Sequence, residues 1–237
     1  MKSRLVFFLA LAVLLGAAVP AVRGQEADAL GWLNRLRSAR DLAPLALETA
    51  LEKAAASYAA VLAAAGRLSH RDAEGGACLE RYRAAGGSAA RAGEILGAGP
   101  DLAAVTVAWE ASPAHAAAAL DPRWTHAGAG RAQAAGGEYW VVLFAEQRVE
   151  GFRLLHQPDG YLVAGSFRDS AAAQAVLLSG LAAVQPAAWD TVRREFRFYL
   201  PAEAGRLYHR LGYRTEKGDF TLTSAFYPDL AAEAAAP

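Results

Sequence analysis

The sequence predicts an α+β chain in which a helix-rich first half, closed by a pair of strands, gives way to an all-β second half. Three observations carry this. Apolar residues recur at helical spacing between Ala29 and Trp109, and alternation at period two takes over from about Ala127 and runs to Phe226. The 237 residues include one cysteine, so no internal disulfide can form and both halves must stand on packing alone.

The first segment reads as a leader. Lys2 and Arg4 precede an apolar run from Leu5 to Leu15 and then small residues, the layout of a secretory signal peptide over residues 1–24 with cuts after Ala21 or Gly24. The run is too short and wrongly flanked for a stable membrane span. No cysteine sits near either cut, so a lipid-anchored amino terminus is not expected, and the protein is expected in the periplasm or outside the cell. Loss of the leader removes Lys2, Arg4 and Arg23 and no acid, leaving 21 basic against 24 acidic residues and a formal charge of −3. With no basic cluster and no interleaved aromatics, nucleic acid is excluded as the expected partner.

Ala29, Trp32, Leu33 and Leu36 mark a first helix that the polar SARD segment and Pro44 end, with Asn34 and Arg37 placed to bridge helix and loop. Leu47, Leu51, Ala54, Ala55, Tyr58, Val61 and Leu62 mark a longer one stopping near Gly66. A short piece over 78–84 follows, with Cys78 as a small buried apolar residue and Gly86-Gly87 closing it. Residues 101–110 form another helix with Leu102, Val105 and Trp109 inward. Ser112 then suits an N-cap and Pro113 the first position of a helix carrying His115 in its first turn, where the positive helix end keeps an imidazole neutral. Ala127 to Arg131 and Glu138 to Glu146 alternate as paired strands across AAGG.

Beyond Glu146 the turn signals come closer together. Pro158-Asp159-Gly160 joins strands at Gly151–Gln157 and Tyr161–Phe167, because proline presets φ and glycine admits a positive φ. Phe196, Phe198 and Leu200 share a face, as do Leu207, His209, Leu211 and Tyr213, and then Phe220, Leu222 and Phe226 after Lys217-Gly218. These runs predict a small β-sandwich, immunoglobulin-like in class, over residues 148–230, with 231–237 as a frayed tail.

Two further polar positions stand out upstream of His115: Ser69-His70 after GRL and Gly93-Glu94 after ARA, both read as loops. The order H…E…W…SPAH…GxG, ending in Tyr139-Trp140 and Phe144, resembles the CAP superfamily of cysteine-rich secretory, antigen 5 and pathogenesis-related proteins, in the bacterial form without disulfides. The likeness runs from LNRLRSARDLAPLAL through GEI and WEASPAH to YWVVLF, about residues 28–146. It implies a three-layer α/β/α sandwich over 25–147, with a cleft at one end. It also implies a metal site of His70, Glu94 and His115, two neutral imidazoles and a carboxylate that suit zinc or another divalent ion with positions open for water. Many members carry a second acid where this chain has Ser112, and a helix turns Glu110 to another face; the usual GEN is GEI here, with Ile95.

The expected function is an exported binding or effector module acting through that cleft on a small ligand, a lipid or a cell-envelope component. A metal-dependent hydrolase of peptide, peptidoglycan or ester bonds, attacking with a metal-bound water, is the second reading, and a lipid or sterol carrier the third. Ser69 and Ser112 stand near histidines in the sequence, but that nearness does not place a serine within reach of a base, and Ser112 suits an N-cap better than a nucleophile. Trp109, Tyr139 and Trp140 are expected in the core, His126 at a loop, His156 and His209 in the β-rich part as packing residues. Tyr208 and Tyr213 are strand aromatics that could form a sugar platform.

Overall fold

The computed structural model describes residues 22–229, with side chains from Asp28 onward. The expected leader up to Ala21 and the expected tail lie outside the described residues. Among the described residues no helix is long and apolar enough to cross a membrane.

The first half is built around one sheet of four strands: β1 (Ala46–Leu47), β2 (Ala92–Gly99), β3 (His126–Ala134) and β4 (Gly137–Ala145), in the order β1-β3-β4-β2. β1 runs parallel to β3 and the other pairs are antiparallel. Successive residues of a strand point to opposite faces, and in β4 both faces are covered: Trp140, Val142 and Phe144 enter one core, Val141, Leu143 and Ala145 the other. That is why this strand reads as an unbroken apolar run. Each of the larger of these side chains contributes about 1.5–3 kcal/mol by leaving water.

Helices α1 (Val22–Ser38), α4 (Leu102–Ala111) and α5 (Pro113–Ala119) cover the Trp140 face; α2 (Thr49–Ala65) and α3 (Cys78–Ala84) cover the other. This is the three-layer α/β/α arrangement. On α2, Leu51, Ala54, Ala55, Tyr58 and Leu62 form the buried stripe, and Gly66 ends the helix at φ +62°, the left-handed conformation glycine adopts without strain. Leu47 is not part of that stripe: it sits in β1, exposed, and the helix opens two residues later. Asp101 caps α4 by accepting from Ala104 N at 2.8 Å.

The second half holds two four-stranded sheets. One is formed by β5 (Val149–Gln157), β6 (Gly160–Phe167), β9 (Ala188–Asp190) and β10 (Glu195–Pro201) in the order β5-β6-β10-β9. The other takes β7 (Gln174–Ser179), β8 (Ala182–Val184), β11 (His209–Arg214) and β12 (Phe220–Phe226) in the order β12-β11-β7-β8. Their inner faces share one core around Phe167, Phe196, Phe198, Tyr213 and Phe226. Phe220 and Leu222 do not share a face with Phe226. The register slips at Leu211/Gly212, leaving Thr223 as an extra residue in β12, and a bulge reverses which side the following residues face. The two halves meet where Ser88 to Ala90 runs along β12: Ala225 N donates to Ser88 O at 2.8 Å and Ala90 N to Thr223 O at 3.2 Å.

His209 is wholly buried in this second core, stacked on Phe226, with Nε2 2.9 Å from Ala204 O. Burial pushes its pKa below the ordinary 6.5, and the carbonyl contact only partly offsets that. The unfolded chain therefore binds the proton more readily, so this contribution is complete above pH 6.5 and is lost as pH falls below it. Urea midpoints are expected to drop between pH 7.5 and pH 5.5, and His209→Gln to flatten that drop; an unchanged slope in the variant would count against the assignment.

Candidate functional site

The loop leaving α2 is tied down on both sides of His70. Tyr58 donates its hydroxyl to Ser69 O at 2.7 Å, Asp72 Oδ1 accepts from Gly76 N at 2.6 Å, and Arg71 donates to Gly75 O at 2.6 Å. Glu94 lies not in a loop but in β2, paired with Leu143 of β4, so its carboxylate is set by a central sheet.

These elements bring His70 and Glu94 into direct contact, with Nδ1 to Oε1 at 2.8 Å. The other carboxylate oxygen, Oε2, takes Arg81 of α3 at 2.7 Å. Arg81 was not among the residues singled out from the sequence. Its guanidinium lies 3.5 Å from the centre of the Tyr58 ring, donates to Gly76 O at 2.9 Å and stands 3.8 Å from Asp72. The Glu94 side chain is 4 % exposed and that of His70 62 %. With Nδ1 engaged by Glu94, Nε2 is the nitrogen the exposed His70 ring leaves free of that contact.

His115 comes from the opposite helical layer, in the first turn of α5 after Ser112 and Pro113; Ser112 occupies the N-cap position without a side-chain hydrogen bond. Its imidazole is held below the usual pKa, first by burial and then by the charge of His70. Its Nδ1 is buried without a hydrogen-bond partner.

This arrangement does not fit a three-ligand metal centre. Both Glu94 oxygens are engaged, one of them by a cation that competes directly for the same lone pairs. A ligating histidine ordinarily donates its second ring N–H to a carboxylate outside the ligand set, but the carboxylate that His70 Nδ1 meets is Glu94, one of the three expected ligands. Among the described residues no three His, Cys, Asp or Glu side chains are grouped to hold a metal ion.

Candidate nucleophiles fare no better. Ser69 Oγ is spent on Arg71, donating to its carbonyl at 2.6 Å and accepting from its N–H at 3.1 Å. Cys78 is half-buried and burial pushes its thiol up to about 11. Glu110 accepts from Trp32 Nε1 at 2.7 Å, on the face its helical position implies.

The remaining polar residues are structural. Trp109 Nε1 donates to Leu96 O at 2.8 Å, and Trp140 Nε1 to Glu138 Oε2 at 2.9 Å. Asn34 brackets the backbone of Leu45. His126 opens β3 with Nδ1 2.9 Å from Thr125 Oγ1, and His156 lies edge-on to Tyr161. Tyr213 is buried, so it forms no sugar platform; Tyr208 pairs with Tyr227 at 5.2 Å.

Residues 30–144 match the family model of the cysteine-rich secretory protein family, CAP. Among solved structures, an outer surface protein of Borrelia burgdorferi is 26 % identical at a TM-score of 0.49, over 52 % of this chain and 93 % of that one. An extracellular SCP-domain protein of Bacillus anthracis is 20 % identical at 0.49, over 56 % of this chain and 45 % of its own. A cysteine-rich secretory protein of Staphylococcus aureus is 17 % identical at 0.44, over 55 % of this chain and 41 % of its own. No curated protein matches the chain.

Proposed function

Residues 30–144 being a domain of the cysteine-rich secretory protein family, we propose that this protein is an exported binding or effector module that works by contact at the His70–Glu94–His115 surface and carries out no covalent chemistry there. Export rests on the leader-like residues 1–24, and the module acts in the periplasm or outside the cell. One observation supports contact over catalysis: Glu94 is divided between Arg81 and His70. A carboxylate so held is a poor general base and a poor metal ligand, but it orients His70 Nε2 toward an incoming hydroxyl or amide group. His115, whose imidazole burial biases toward the neutral form, adds a second ring to the same surface.

The test has two arms. Zinc titrated calorimetrically into the protein is expected to show no stoichiometric site that His70→Ala/His115→Ala removes. A panel of esters, peptides and peptidoglycan fragments is expected to turn over no faster than in buffer. Turnover that disappears in Glu94→Gln would overturn the reading in favour of a hydrolase, and a stoichiometric zinc isotherm lost in the double variant would restore the metal centre.

A further inference from the structure

The outward face of the β5-β6-β10-β9 sheet carries chemistry that the first half does not use. Because Phe196, Phe198 and Leu200 point into the core, Glu195, Arg197 and Tyr199 must point away from it. The registers then set cross-strand rows on this outer face. Leu155, Leu162 and Tyr199 make one row, Arg153, Ala164 and Arg197 the next, and Glu150, Ser166, Glu195 and Asp190 the one beyond. Rows of outward residues lie about 7 Å apart along the strands, and the two arginines, either side of Ala164, stand about 10 Å apart across them.

Three features make this more than a solvated sheet. Tyr199 is 61 % exposed and Leu155 45 %, a flat apolar row left open on a strand face. Neither the Arg153 nor the Arg197 guanidinium has an ion-pair or hydrogen-bond partner among the described residues, while Glu150 is drawn to Arg168 at 3.6 Å. The small residues between the arginines, Ala164, Gly165 and Ser166, floor a hollow of about 260 Å³, walled at one end by Arg153 and Arg197 and at the other by Glu150 and Glu195.

We propose that this face binds a uronic-acid polysaccharide, with a pyranose ring stacked on Tyr199 and its carboxylate held between Arg153 and Arg197. The C–H face of a sugar ring is flat and apolar and matches an exposed tyrosine beside leucine. A carboxylate carried directly on that ring falls one row away, where two planar forks can take it with paired N–H donors. The acidic row beyond the arginines accepts hydroxyl protons and repels a second anion close by. The ordering thus favours one carboxylate per ring over a densely charged phosphate polymer, and an acidic polypeptide has no ring to lay on Tyr199.

The test is calorimetric titration of the whole protein with a galacturonic acid hexamer. Saturable binding is expected, and Tyr199→Ala and Arg153→Gln/Arg197→Gln should each weaken it by about tenfold or more. All three side chains face solvent, so melting temperatures should match wild type and confirm that the variants are folded. A glucose hexamer, which lacks the carboxylate, and polyglutamate, which lacks the ring, should each bind at least about tenfold more weakly. Absence of saturable hexamer binding, an unchanged affinity in Tyr199→Ala, or equal binding of polyglutamate would each overturn the proposal, the last by making the face a contact for acidic protein.

Discussion

Replacing Gly130 by alanine is expected to cost about 3 kcal/mol of folding stability, at the top of the usual range for overpacking a core. A Cβ at this position would stand 2.1 Å from Ala56 N and 2.4 Å from Ala55 C, inside the backbone of α2. At Gly128, two residues along the same face of β3, it would stand 2.3 Å from Glu52 N. A flexible side chain could swing away from such a contact, but hydrogen-bonded helix backbone cannot. The helix must therefore lift off the sheet, loosening Leu51, Ala55, Tyr58 and Leu62 together. Because Tyr58 anchors the loop before His70, that loop should loosen too. Urea unfolding should show a lower midpoint with an unchanged slope. Gly136→Ala, where nothing lies within 4 Å of an added Cβ, is the control and should stay within about 0.5 kcal/mol of wild type. If Gly130→Ala also stays within that margin, the close approach of α2 to β3 is not what sets the spacing of these layers.

The GxG at 128–130 is visible in the sequence, but its reason is not: only the position of α2 shows why a side chain is excluded at both glycines. The layering was more legible than the site. Helical stripes and the doubly buried run of β4 follow from local spacing, and both recover the elements they mark. Glu94 was misplaced in a loop because GEIL, flanked by glycine and alanine, shows no alternation, and its strand character comes from pairing with β4. Arg81 was invisible for a similar reason. A basic residue in a short helix reads as solvated, and its engagement depends on Tyr58, Asp72 and Glu94 arriving from three other segments. Phe220 and Leu222 were assigned inward by strict period two, which a single unpaired residue at Thr223 reverses. The edge strands β8 and β9 have three residues each, too few for any period to be read.

Arg37→Ala is expected to be the most damaging single truncation near the site, with a loss of about 3 kcal/mol from buried carbonyls left without donors and the cavity beside them. Arg37, at the end of α1, is 1 % exposed and has no carboxylate within ion-pair reach among the described residues. It donates instead to three backbone carbonyls: Nε to Ala43 at 2.9 Å, and one terminal nitrogen to Ala119 at 2.9 Å and Asp121 at 3.0 Å. Burial lowers its pKa, with the charge of Asp121 partly offsetting this, so the cation is retained on the strength of those carbonyls. Two of them lie at or just past the end of α5, where a cation also meets the negative end of the helix dipole. Alanine would leave the carbonyls without donors and open a cavity the size of the lost side chain. Lysine keeps the charge but lacks the planar fork that reaches both sides of the gap, and about 2 kcal/mol of the loss should remain. Since α5 carries His115, the damage should also be local: in Arg37→Lys, amide exchange should quicken across residues 113–119 more than in the β5–β12 half. Uniform quickening in both halves would make Arg37 a general core residue, and a loss below about 1 kcal/mol in Arg37→Ala would mean that water replaces the guanidinium at all three carbonyls.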